Sequence, residues 1–128
     1  MAYKVTTIPL WKKTAIGSGS AGGTSLSAPI DLREINRQGA FSLSYAIAAA
    51  GAAATAATCM FHYVLSSTVD GTYISPINGD GGTIGTAGTG IVAGEVRSFT
   101  PVVMPFMKVK VIAGTSGTAL VTAELNVR

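Results

Sequence analysis

Charge is scarce in this sequence: nine basic and six acidic residues make up 12% of 128, against about 25% in an ordinary soluble domain. The single histidine, His62, excludes metal sites built from several imidazoles and leaves one way to assemble a Ser-His-Asp triad. The single cysteine, Cys59, excludes an intrachain disulfide and a CxxC redox pair. Residues 1–13 contain Pro9 and three lysines but no apolar run long enough for a signal peptide, so synthesis in the cytoplasm is expected. Hydrophobicity, in contrast, is not lacking. Apolar residues form 48% of the chain, unlike the low-hydrophobicity, high-charge composition of disorder. Alanine, glycine, serine and threonine supply 61 of the 128 residues. The chain is therefore expected to fold as one domain with small side chains and an unusually uncharged surface.

No formal charge occurs between Arg37 and Asp70, a stretch long enough to cross a bilayer. Its middle is alanine, glycine and threonine, and its flanks alternate at period two, which opposes a spanning helix. No membrane association is expected. The same alternation predicts strands. Residues 40–48 set Phe41, Leu43, Tyr45 and Ile47 against smaller residues. Residues 58–66 put Cys59, Phe61, Tyr63 and Leu65 on one face and Met60, His62 and Val64 on the other. These two runs read as one long hairpin with an irregular Ala-rich tip at 48–57. Further strands are expected at 3–8 (ended by Pro9), 26–32 (confined to an edge or split by Pro29), 91–99, 106–113 and 119–127. Asp70-Gly71 suits the left-handed angles of a tight turn, with a brief return over 73–77.

Seven or eight short strands with Gly-rich turns and no persuasive amphipathic helix predict an all-β single domain, a β-sandwich or jelly roll. The Gly/Ser-rich stretch 17–23 reads as a linker, making residues 1–25 a flexible N-terminal arm and 26–128 the domain. In that arm Trp11-Lys12-Lys13 joins one large ring to two positive charges, a combination suited to docking on an acidic protein surface.

The chemistry-bearing residues do not converge. His62 and Cys59, three apart in a strand, point to opposite faces and cannot share a metal. The segment 78–82 lacks the ordered carboxylates of a calcium loop. Asp31, Glu34, Asp70, Asp80, Glu95 and Glu124 are scattered, and Gly-rich loops give no rigid support for a carboxylate pair. No enzyme activity, cofactor or metal is expected. Nine basic residues without clustered aromatic platforms argue against nucleic acid. Lys108 and Lys110 read as a solvated strand face or as protection of a sheet edge. Long uncharged strand faces must be covered, which points to self-association or docking into an assembly.

Three segments carry a family resemblance. Phe61-His62-Tyr63-Val64-Leu65-Ser66-Ser67-Thr68-Val69-Asp70-Gly71-Thr72-Tyr73-Ile74-Ser75-Pro76 resembles a hairpin of small tailed-phage structural proteins. The proline-bounded block at 99–111, through Pro105-Phe106-Met107-Lys108-Val109-Lys110-Val111, resembles their next element, and 114–128 their terminal hairpin. The resemblance implies a virion component, most like a small capsid decoration (cement) protein. Such a protein would dock on the major capsid protein or another virion protein, act as a dimer or trimer, and perform no chemistry. It would reside in the virion after synthesis in the host cytoplasm. Alternatives are a tail or neck subunit, a self-assembling filament subunit, or a glycan-binding sandwich for host attachment, in which Tyr73, Trp11 or Phe106 would be the sugar-facing rings.

Overall fold

The computed structural model describes residues 5–17, 23–33, 41–50, 56–77, 82–86, 91–114 and 118–127. Every regular element among them is a strand: β1 (Thr6–Ile16), β2 (Gly23–Leu26), β3 (Ile30–Asp31), β4 (Phe41–Ala49), β5 (Cys59–Ser66), β6 (Thr83–Thr86), β7 (Val92–Phe99), β8 (Phe106–Ala113) and β9 (Ala119–Val127). They form two antiparallel sheets, one ordered β1-β9-β4-β7 and the other β2-β8-β5-β6, with β3 also on β8. Pro29 splits β2 from β3, and both fragments lie along the same edge of β8. Counted as one broken strand, they complete a set of eight in which first pairs with last, second with seventh, third with sixth and fourth with fifth. That is an antiparallel ribbon doubled on itself and rolled, the jelly-roll form of the β-sandwich.

The alternating runs dictate which faces meet. Phe41, Leu43, Tyr45 and Ile47 of β4 are buried, as are Cys59, Phe61, Tyr63 and Leu65 of β5, Met107, Val109 and Val111 of β8, and Val121, Leu125 and Val127 of β9. β4 and β5 do not form the expected hairpin: they lie in different sheets. Two rows of large inward side chains fill the space between sheets better than they share one sheet. Tyr45 accordingly stacks on Phe61 across the core at 4.5 Å, and Tyr63 on Phe99 at 5.6 Å. β8 and β9 are likewise in opposite sheets, so the expected terminal hairpin is a crossover. The Ala-rich 51–55 lies outside the described residues, as do 18–22 of the expected linker and 78–81 of the glycine-rich loop.

The expected arm is corrected. Thr6–Ile16 is an edge strand paired along β9 from Thr6↔Val127 to Ile16↔Ala119, and the expected boundary at 25/26 cuts through β2. Pro9, expected to end the first strand, is tolerated because β1 pairs on one side only among the described residues. Register shifts between Pro9 and Trp11 and between Trp11 and Thr14 bend the strand there and change which residues face inward. Asp70-Gly71 does turn the chain, with Gly71 N–H donating to Thr68 O at 3.2 Å, but Gly71 does not have a left-handed φ. Glycine is needed there for room: a Cβ would lie 2.3 Å from Thr68 Oγ1. The return strand reduces to one bridge, Leu65↔Ile74.

Cys59 is fully buried, and its thiol faces the Ala57 carbonyl at 3.7 Å. Burial pushes the thiol up to about 11 from 9.0. A thiol reagent at pH 8 is therefore expected to leave the native protein unlabelled and to modify one equivalent in denaturant; native labelling at the unfolded rate would contradict the burial. Because the folded state holds this proton more tightly, the associated stability is intact below pH 9.0 and declines toward pH 11.

All four sheet edges are guarded. β1 carries Pro9, Lys12, Lys13 and two register shifts, the β2–β3 edge is broken at Pro29, and β6 has four residues. β7 has a register shift opposite Tyr45/Ile47 and two charged residues, Glu95 and Arg97, on the alternation that faces the other sheet. Tyr45 Oη donates to Glu95 Oε1 at 2.8 Å and accepts from Arg97 Nε at 3.0 Å. Burial, followed by the carboxylate of Glu95, raises the Tyr45 hydroxyl above its ordinary value. The Arg97 side chain lies against Gly85 of β6, where a Cβ would come within 2.5 Å of its Cδ. Inward charges, prolines and bulges of this kind oppose edge-to-edge pairing.

Candidate functional site

The crossovers gather several loops at one end of the sandwich. β5 ends at Ser66 opposite Phe106, the start of β8, so the loop 67–77 leaves where the segment 100–105 arrives. Leu32 N–H donates to Pro105 O at 2.9 Å, bringing the end of the β3 segment to the same place. Backbone bonds between Leu65 and Ile74, at 2.8 and 2.9 Å, and from Tyr63 N–H to Gly82 O fasten the loop along β5. The Ser66 hydroxyl accepts from Thr68 N–H at 3.2 Å and donates to Thr68 O at 2.7 Å, fixing the exit from the strand.

These anchored loops hold apolar side chains in solvent. Ile77 is 96% exposed, Val103 77% and Ile74 61%, with Val69 and Val102 also exposed. Half of the large hydrophobics exposed among the described residues therefore stand on two loops of one end. Covering each such side chain is worth about 1.5–3 kcal/mol. Pro76, Pro101 and Pro105 restrict the backbone of the same loops, which lowers the entropy lost when a partner covers them.

Two cation–ring contacts border this end. The Lys108 ammonium sits 4.4 Å from the centre of the Tyr73 ring, whose hydroxyl donates to Val69 O at 2.9 Å. The Arg33 guanidinium lies 4.7 Å over Phe106 while forming a bidentate pair with Asp31 at 2.9 and 3.1 Å. That pair holds the Asp31 carboxyl below its usual range. Burial, and then the nearby Asp70, raises the Tyr73 hydroxyl.

Of the residues singled out in the sequence, Tyr73 lies against Lys108, which is two positions along β8 from Phe106. Trp11, Lys12 and Lys13 lie on β1 in the other sheet. Lys12 and Lys13 are exposed, but Trp11 is buried at 7%, and its indole N–H donates to Ser25 Oγ at 3.2 Å. The indole belongs to the core, because the shifted register at Trp11 turns it inward, and it is not an anchor for another surface. Phe106 is buried beneath Arg33. Lys108 and Lys110 do not guard an edge: β8 has β5 on one side and β2 and β3 on the other. His62 and Cys59 occupy opposite faces of β5, and no group of three His, Cys, Asp or Glu among the described residues could hold a metal. Among them, too, no helix is long and apolar enough to cross a membrane.

No protein-family model matches the chain, and no curated protein matches it significantly. The loop aliphatics were not found by reading periodicity, since Ile74, Ile77, Val102 and Val103 belong to no alternating run. The available signal is aliphatic residues beside prolines, Ile74 and Ile77 around Pro76 and Val102 and Val103 between Pro101 and Pro105.

Proposed function

We propose that this protein is a non-enzymatic structural subunit that docks through its loop end on the assembled capsid of a tailed phage and stabilises the shell. The observation that carries the docking reading is the set of exposed aliphatics held on proline-restricted loops. The virion reading rests on the resemblance of 61–76 and 99–111 to small phage structural proteins. Those two segments are spatial neighbours, since β5 pairs with β8 from Cys59↔Ala113 to Ser66↔Phe106, and both run into the loop end. The partner is the major capsid protein. Repetition on a lattice lets modest individual contacts suffice.

The glycan reading has less support, because Lys108 covers a face of the Tyr73 ring and Phe106 is buried. The guarded sheet edges likewise give a filament built by strand addition little to work with.

The test is co-sedimentation of the purified protein with empty shells from the same source. Wild type is expected to bind at a fixed stoichiometry. Ile77→Asp with Val103→Asp is expected to weaken binding more than tenfold with an unchanged thermal melt, since two covered aliphatics are lost and two charges must be desolvated. Wild type that ignores shells would sink the capsid assignment. Full binding by the double variant would sink the loop end as its docking surface.

A further inference from the structure

We infer that the outer face of the β1-β9-β4-β7 sheet is where a second copy of this chain packs, face to face, with Lys13 of each copy opposite Glu124 of the other. This surface is separate from the loop end, and the inference does not rest on what the loop end binds.

Two shallow hollows of about 360 and 400 Å³ lie side by side on this face as one shallow groove, sharing Ala46 and Thr122. Its floor is small, with Ala46, Ala48, Gly94 and Thr122, and lets another backbone approach closely. Val96 and Ile91 stand exposed along the groove. On β4, on β9 and at the outward positions of β7, Glu124 is the single formal charge among the described residues. The cation of the groove comes from β1. Lys13 follows the register break after Trp11, adopts a left-handed φ of 47°, and donates its N–H to Thr122 Oγ1 at 3.0 Å. L-residues rarely adopt this conformation, and a bulge of this kind re-aims the side chain it carries. Here the residue it carries lines the groove. Neither Lys13 nor Glu124 belongs to an ion pair among the described residues.

Lys13 and Glu124 give this face one charge of each sign. Of the other charges near it, Glu95 is bound by the Tyr45 hydroxyl and Lys12 stands exposed on β1 outside the groove lining. Lys13 and Glu124 can therefore make the face complementary to itself. A two-fold axis lying between two such faces brings Lys13 to Glu124 and Glu124 to Lys13, giving two ion pairs from one of each residue, as isologous contacts require. Because the edges are guarded, association through the face has no competitor in edge-to-edge pairing. Four strands about 4.8 Å apart and some nine residues long present roughly 500 Å² per copy, or about 1,000 Å² in total, the lower bound for a specific interface. A contact at this lower bound is expected to form reversibly.

Sedimentation equilibrium of the full chain between about 1 and 500 μM tests this. Wild type is expected to pass from monomer to dimer within that range. Glu124→Lys and Lys13→Glu are each expected to weaken dimerisation about tenfold or more through like-charge contact, and the double exchange is expected to restore it to within about threefold of wild type. Ala46→Arg, which fills the groove floor from an outward-facing position, is expected to stay monomeric with an unchanged melt. Glu124 is exposed, so Glu124→Lys reports even if Lys13→Glu fails to fold. A wild type that remains monomeric throughout, an Ala46→Arg variant that still dimerises, or a folded double exchange that is not restored would each overturn the inference. Shell binding by monomeric Ala46→Arg would leave the docking reading standing.

Discussion

Phe61→Ala is expected to cost about 3–5 kcal/mol of stability, the range for emptying a buried aromatic site. Phe61 is fully buried in the middle of β5, between β8 and β6, and its ring stacks on Tyr45 of the opposite sheet at 4.5 Å. Its neighbour on β6 is Gly85, which has no side chain to fill the vacated space. The loss compares with a total of about 5–15 kcal/mol for a domain and corresponds to a fall of roughly 10–20 °C in Tm. Calorimetry or thermal circular dichroism reads it directly. A loss below about 1 kcal/mol would mean that the sheets close over the gap, and that the stacked pair does not set their spacing.

Gly82→Ala is expected to destabilise by about 1–3 kcal/mol, the usual cost of holding a side-chain-bearing residue in a disfavoured backbone region. Gly82 has φ +88°, and a Cβ built on it would lie 2.6 Å from Tyr63 O and 3.0 Å from Pro76 Cδ. The nearest atom is backbone in the middle of a strand and cannot swing aside. The chain would have to lift from β5, loosening the bond from Tyr63 N–H to Gly82 O and the contact with Pro76. Shell binding should weaken along with stability, because Pro76 belongs to the loop that presents Ile74 and Ile77. A variant with wild-type Tm would show that this segment can shift without strain. Wild-type docking by a destabilised variant would separate the loop's anchorage from its binding role.

The strands were legible wherever one face is buried and the other wet. The boundaries of β8 and β9 follow directly from period-two alternation, and β4 and β5 are within a residue. Partner choice was not legible, because alternation states which side chains point inward but not across which gap they meet. β4 and β5 satisfy the pattern of a hairpin and of two facing strands equally well, and the contact of Tyr45 with Phe61 is what separates the two. β1 was hidden for a different reason. Pro9, Trp11 and Lys12-Lys13 break the alternation, and two register shifts let an edge strand absorb that break. Of the candidate site, Tyr73 was legible as a loop aromatic. The burial of Trp11 and Phe106 was not, since it depends on Ser25 and Arg33 arriving from elements distant in the chain.

The central place of β9 has a consequence for synthesis. Both its neighbours, β1 and β4, precede it in the chain, β1 by more than a hundred residues. A nascent chain that has emerged through β8 can pair the strands of the other sheet, but its β1 has no partner and one side of β4 stays open. Over that interval the inner faces of Phe61, Tyr63 and Val109 lack the side chains of Val121, Leu125 and Val127 that close the core. Until β9 pairs with both β1 and β4, these open inner faces leave the chain exposed to aggregation and proteolysis.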